Sequence, residues 1–120
     1  MDPKFKVWWD KQKKIVVAKF SGDQDEETAQ KFRDEVNQLA ENHGGQVKIL
    51  TDATNGGSST AEARKIYKDL FKSGKIEKSA IFGGGILQKV IANFIFSFGG
   101  TTKAEYFYSE EEALKWLKEK

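Results

Sequence analysis

Phe5, Val7 and Trp9 alternate with Lys4, Lys6 and Asp10, the period of two expected of a strand with one buried face. After the polar turn Lys11-Gln12-Lys13-Lys14, the run Ile15 to Phe20 predicts an antiparallel hairpin partner, closed by Ser21-Gly22. Asp23 and Glu26 then stand at capping-box spacing before a helix whose Phe32, Val36, Leu39 and Ala40 fall on one face. His43-Gly44-Gly45 ends it. Val47, Ile49 and Leu50 form a short strand ending at Thr51-Asp52, and Ala53 to Ser58 reads as a loop. Ser59, with Glu62 three residues on, is expected to cap a second helix that buries Ala63, Ile66, Leu70 and Phe71, with Tyr67 at the margin and Gly74 as its stop. A strand over Ser79–Phe82, a strand over Ala104–Tyr108 and a helix opened by the capping box at Ser109–Glu112 follow.

One element breaks the amphipathic rule. Between Gly83-Gly84-Gly85 and Gly99-Gly100 lies a strongly apolar helical segment, in which Ile86, Leu87, Val90, Ile91, Phe94, Ile95 and Phe98 spread over half the circumference. Lys89, Asn93 and Ser97 make one narrow polar stripe, and Phe96 falls outside the apolar arc. Burial of a phenylalanine side chain is worth about 1.5–3 kcal/mol, so a position that leaves it in water calls for a role. The segment is either sunk between neighbours as core, or it forms a homodimer face, a pocket for an apolar ligand, or a docking surface for a partner or membrane.

The resulting order, β-β-α-β-α-β-α-β-α, predicts an α/β fold: a mixed, mostly parallel sheet with an antiparallel first strand at its edge, covered by helices. At 120 residues the chain has the length of one domain, 1–120, with a core of its own. The absence of cysteine excludes disulfides and thiolate chemistry. The first residues, Met1-Asp2-Pro3-Lys4, lack the apolar stretch of a secretory signal. The longest apolar run falls short of the about 20 residues a transmembrane helix takes, so a cytoplasmic protein without a transmembrane segment is expected. The 20 Lys and Arg nearly balance 18 Asp and Glu, and the densest basic run, Lys11 to Lys14, sits in the hairpin turn. Nucleic acid is therefore not an expected partner.

This order, together with the ending Tyr106-Phe107-Tyr108-Ser109-Glu110-Glu111-Glu112-Ala113-Leu114-Lys115-Trp116-Leu117, resembles the SpoIIAA-like (STAS-type) family over essentially its full length. The shared features are an opening strand pair, an Asp at the end of the third strand, and a close of strand, acidic cap and Ala-x-x-Trp-Leu. The resemblance implies a small domain that binds and regulates without chemistry of its own. Some relatives bind kinase-type anti-sigma factors, and the wider fold group includes modules that hold lipids or other apolar ligands. In the anti-sigma antagonists a serine at the start of the second helix is phosphorylated, which makes Ser58 and Ser59 the comparable candidates. Those proteins carry Asp-Ser-Ser/Thr-Gly there, whereas Asn55-Gly56-Gly57 precedes the serines here and Ala61 follows Thr60.

Three places are thus candidate binding sites. The segment Asp52 to Thr60, with Asp52 and Asn55, leaves the end of a strand at the sheet edge where such folds bind ligands; the bland alternative is a loop followed by a cap. Gly84 and Gly85, with Gly83, lie in a strand-to-helix turn that lets a ligand approach the backbone. The turn lacks both the G-x-G-x-x-G and the G-K-[ST] patterns, so a tight structural turn is the alternative. The apolar segment contributes Ile95, Phe96 and Phe98 as partner- or ligand-binding residues. No catalytic set is visible. His43 is the sole histidine and has no recognisable partner. Asp23, Asp25 and Asp52 compare with the acidic cluster of phosphate-receiver domains, but those carry a lysine after the last strand, whereas Lys103 precedes it here. No metal-ligand set or cofactor motif appears. The expectation is a non-enzymatic regulatory domain that binds a protein partner or a second copy of itself, the alternative being a carrier or sensor of an apolar small molecule or lipid between the sheet and helix 86–98.

Overall fold

The structure is a computed structural model that describes residues 4–85, 89, 92–93 and 103–119. Five strands form one sheet in the order β1-β2-β3-β4-β5. They are β1 (Phe5–Asp10), β2 (Ile15–Gln24), β3 (Val47–Ser59), β4 (Ile76–Phe82) and β5 (Lys103–Phe107). β1 runs antiparallel to β2 at one edge, and every other neighbouring pair is parallel. The helices are α1 (Glu26–Asn42), α2 (Ala61–Lys72) and α3 (Glu110–Lys118). Gly85, Lys89, Ala92 and Asn93 are also helical, in the segment where the sequence predicts the apolar helix. Ile95, Phe96 and Phe98, named as binding residues, lie outside the described residues.

Strand parity divides the core into two layers. Val16, Ala18 and Phe20 of β2, with Val47 and Ile49 of β3, pack with Phe32, Val36 and Ala40 of α1 and with Ala63, Tyr67 and Leu70 of α2. Their neighbours Ile15, Val17 and Leu50 point the other way, onto Ala113 and Leu117 of α3. Val16, Val36, Ile49, Ile76 and Leu117 are the largest fully buried side chains. Each stabilises the fold by about 1.5–3 kcal/mol, which makes the two apolar layers the dominant favourable contribution.

β2 and β3 exceed their predicted lengths. The stretch Ala53 to Ser58, expected as a loop, is the second half of a 13-residue strand. Its residues pair beyond the rest of the sheet with the end of β2, Ser21 opposite Asn55, Gly22 opposite Gly56 and Gln24 opposite Ser59, with two register irregularities. The result is a projecting two-stranded ribbon. Gly57 explains the close approach: a Cβ there would lie 2.2 Å from Asp23 Oδ1 and 3.0 Å from the carbonyl carbon of Gly22.

The longer strands displace two predicted caps. Asp23 belongs to β2, so α1 is capped by Asp25, whose Oδ1 accepts from Thr28 N at 2.9 Å. That backbone N–H holds the Asp25 carboxyl below the usual carboxylate range. Ser59 belongs to β3, so α2 is capped by Thr60, whose Oγ1 accepts from Ala63 N at 3.1 Å. Ser109 caps α3 at the predicted position, accepting from Glu112 N at 3.2 Å. β4 begins three residues earlier than its apolar run, because Ile76 to Lys78 pair with Val47 and Lys48.

Two lysines hold α3 to the sheet. Lys48 and Lys78 are register partners on adjacent strands. Lys48 Nζ donates to the Leu117 carbonyl at 2.9 Å. Lys78 Nζ donates to the Trp116 and Glu119 carbonyls at 3.0 and 2.7 Å and lies 4.8 Å above the Trp116 ring. A helix C-terminus leaves carbonyls without intrahelical partners, and a buried ammonium needs acceptors; each satisfies the other. Lys78 is only 7 % exposed, so this pairing is largely shielded from water.

Two outcomes are expected. Lys78→Met keeps the apolar stem against Trp116 but takes the ammonium donor from the Glu119 carbonyl and leaves the Trp116 carbonyl with Glu119 N alone, and lowers unfolding free energy in urea by about 1–3 kcal/mol. Gly57→Ala forces Asp23 aside and crowds Gly22, costing about 1 kcal/mol. Its amide hydrogen exchange at Ser58 accelerates while that of Ile49 in the core keeps its protection.

Candidate functional site

The ends of the parallel strands, together with the ribbon, form one edge of the sheet, the edge at which ligands bind in open α/β folds. At the tip of the ribbon the Asp23 carboxylate accepts two bonds on one oxygen, from Ser58 N at 2.9 Å and from Ser58 Oγ at 3.2 Å. Ser58 is exposed, so its hydroxyl meets solvent with a carboxylate fixed beside it. Ser59 is half-buried, and its carbonyl and hydroxyl oxygens both accept from the Arg64 guanidinium. Of the two serines, Ser58 is the accessible one.

Asp52 is spent locally: its Oδ1 accepts from Thr54 N at 2.9 Å, which turns the chain as it enters the ribbon. Asn55 is exposed on the ribbon opposite Ser21. The glycine turn meets this segment directly. Gly83 has φ +87°, and a Cβ there would lie 2.4 Å from Thr54 Oγ1 and 2.9 Å from Thr54 N. No side chain fits between the two segments. Tyr106, at the end of β5, donates from its hydroxyl to Gly83 O at 2.5 Å and reaches Gly85 O at 3.4 Å. Burial raises the Tyr106 hydroxyl above its ordinary titration range. Gly84 and Gly85 follow with φ +79° and +70° and are exposed. Beside them Lys89 Nζ donates to the hydroxyl of Tyr108 at 2.7 Å.

Beneath the ribbon, between the sheet and the α1 and α2 layer, is a cavity of ≈ 80 Å³. Phe20, Phe32, Ile49, Leu70, Phe71 and Ile81 are among the residues of its wall, and Ala92 lines it too. Its aromatic side is a ring cluster, with Phe32 tilted against Phe20 at 4.9 Å and edge-to-face with Tyr67 at 5.8 Å between ring centroids. Gln24, 6 % exposed, is the polar node at its rim. Its Nε2 donates to Gly22 O at 3.1 Å and Lys4 O at 3.3 Å, and its Oε1 accepts from Tyr67 Oη at 3.3 Å. Burial pushes the Tyr67 hydroxyl well above the ordinary phenol range, so it stays a neutral donor.

The sequence therefore points to Asp52, Asn55, Gly84, Gly85, Ser58 and Ser59, and all six lie on the described part of this edge. It gives no sign of the Asp23–Ser58 contact, which joins residues 35 apart, or of the Gln24–Tyr67 bond, which joins residues 43 apart. His43 is not without a partner: it stacks on Trp9 at 3.7 Å and 8°, far from this site at the other edge of the sheet. Among the described residues no three His, Cys, Asp or Glu side chains gather in a way that suits a metal ion.

Residues 15–118 match the SpoIIAA-like family. Among solved structures, the chain is similar to an uncharacterized protein from the DUF3478 family with a SpoIIAA-like fold from Shewanella loihica PV-4. The TM-score is 0.71 and the identity 18 %, over 94 % of this chain and 91 % of that one. It is also similar to the anti-sigma factor antagonist SpoIIAA in its unphosphorylated form, with a TM-score of 0.60 and 13 % identity over 94 % of this chain and 96 % of that one. No curated protein matches the sequence. The five-stranded mixed sheet, its antiparallel first strand and the match over 15–118 lead to one assignment: the chain belongs to the SpoIIAA-like family.

Proposed function

We propose that this domain is a non-enzymatic binding and regulatory module that acts through a protein partner, with the β2–β3 ribbon as its contact surface. The observation that carries the reading is the exposed Ser58 hydroxyl held against Asp23 at the tip of the ribbon. A ribbon projecting past the sheet offers backbone groups and a polar tip to a second protein, while the adjoining sheet keeps it rigid. Membership of the SpoIIAA-like family and likeness to an anti-sigma factor antagonist support the same reading. A negative charge on Ser58 would stand about 3 Å from the Asp23 carboxylate, and like charges at that separation repel strongly. Modification of Ser58 is thus a means of releasing the partner, and Ser59, held by Arg64, is the less suited of the pair. The reading places the domain in the cytoplasm. No helix among the described residues is long and apolar enough to cross a membrane.

The partner is tested by photo-crosslinking in cells from a benzoylphenylalanine at Asn55. One discrete protein adduct is expected; it persists in Ser58→Ala and falls about tenfold in Ser58→Asp, a change of ~1.4 kcal/mol. Adducts that appear only from sites away from the ribbon, or that ignore Ser58→Asp, would sink the proposal. Self-association is separated by sedimentation velocity: a dimer that Phe96→Asp dissociates makes the partner a second copy, on the position the sequence singles out.

The apolar cavity favours a second reading, a carrier of an apolar small molecule. Ligand pockets usually span about 300–1,000 Å³, so a cavity of ≈ 80 Å³ restricts the cargo to a few carbon atoms. A bare mass for protein purified without detergent, measured by native mass spectrometry, counts against a carrier. An apolar adduct that Ser79→Phe removes by filling the cavity counts for one.

A further inference from the structure

The opposite edge of the sheet, where the parallel strands begin, carries a groove of ≈ 310 Å³. Its floor is apolar, built from Ile15, Val47, Leu114 and Leu117, and the Trp9–His43 stack stands at one wall. Lysines line it from three sides, Lys13 and Lys14 from the β1–β2 turn, Lys48 from β3, and Lys118 from the end of α3, and Gln46 and the Glu77 carboxylate line it as well. Two of these are occupied. Lys13 pairs with Asp10 at 3.5 Å, and Lys48 pairs with Glu77 at 3.6 Å while donating to Leu117 O. Lys14 donates only its backbone N–H, to Asp10 O at 2.8 Å, and the exposed side chains of Lys14 and Lys118 make no hydrogen bond or ion pair with the described residues.

Helix C-termini attract cations, and both α1 and α3 end here. Other donors already meet part of that requirement. The carbonyls of α3 are taken by Lys48 and Lys78, and the Ala40 carbonyl of α1 accepts from His43 N and Gly45 N at 3.2 and 2.7 Å. Lys14 and Lys118 donate to none of these carbonyls. Lys14 is also held in an unfavourable conformation. Asp10 Oδ1 accepts from Gln12 N and Lys13 N, each at 3.0 Å, and the turn sets Lys14 at φ +56°. Asn or Gly suits that left-handed region better, so a lysine there indicates a use for its side chain.

We propose that this groove binds a small organic anion with an apolar body and a phosphate or carboxylate head. The body lies on the Leu114–Leu117 floor against the Trp9–His43 wall, and the head lies between the Lys14 and Lys118 ammonium groups. The volume falls at the lower end of the range for small-molecule sites, and an apolar floor with a few convergent charges is their usual make-up. The site is independent of the ribbon and of any protein partner there.

Calorimetric titration of the intact chain with phenyl phosphate, inorganic phosphate and phosphatidylglycerol vesicles tests it. Phenyl phosphate is expected to bind about tenfold more tightly than inorganic phosphate, because only it covers the apolar floor, and to weaken as salt is raised. The double variant Lys14→Asn with Lys118→Gln should lose about tenfold in affinity. Asn suits the turn, so this variant keeps its melting temperature, and Lys11→Gln on the same turn keeps full affinity. Equal binding of the two phosphates, no binding of either, indifference to the double substitution, or heat from vesicles alone would each overturn the assignment.

Discussion

Burial of the central strands on both faces is the constraint from which the rest of the molecule follows. β2 and β3 send alternate side chains into the α1–α2 layer and into the α3 layer, and β4 sends Ile76 into the first and, past a register irregularity, Ala80 into the second. A one-residue slip would exchange the two sets, placing Lys48 and Lys78 in the aromatic layer and Ile49 against the end of α3. The register is therefore fixed, and both faces of the inner strands are committed to packing. Polar chemistry is left to the two ends of the sheet and to β1. The two ends are unlike: one carries the acidic and hydroxylic tip of a projecting ribbon, the other an apolar groove rimmed by ammonium groups.

The ribbon exists because glycine is placed where two backbones meet. Gly57 against Gly22 and Asp23, and Gly83 against Thr54, are contacts that a methyl group would prevent. They bring the end of β2, the second half of β3 and the turn after β4 into one assembly, with Tyr106 tying the turn to β5. The polar groups there are matched to one another, Gln24 to Tyr67 and Asp23 to Ser58.

Much of the fold was legible in the sequence because hydrophobic period and capping chemistry agree along most of it. The hairpin, the face of α1 and the Ser109 cap follow from local pattern alone; on α2, Ala63 and Leu70 are buried as expected, but Tyr67, expected at the margin, is buried through its place among Phe20 and Phe32, while Ile66 and Phe71 are only partly buried. Residues 53 to 59 do not, because Ala53-Thr54-Asn55-Gly56-Gly57-Ser58-Ser59 carries no apolar alternation; its strand character comes from pairing with residues more than 30 positions earlier. The same displacement explains why Asp23 and Ser59, good caps by spacing, yield to Asp25 and Thr60. The site was legible in position, at the ends of the strands, but not in its contacts. Nothing local announces that Asp23 serves Ser58, that Tyr67 serves Gln24, or that His43 lies flat on Trp9.

Part of the attachment of α3 is indifferent to sequence. Lys48 and Lys78 grip main-chain oxygens of residues 116, 117 and 119, and every amino acid supplies those oxygens alike. Only Ala113 and Leu117 of α3 are fully enclosed by the sheet. Beyond these and the partly buried Leu114 and Trp116, the exposed positions of the closing helix are thus free to drift over evolutionary time, or to be rewritten by design, while the helix stays docked in the same place.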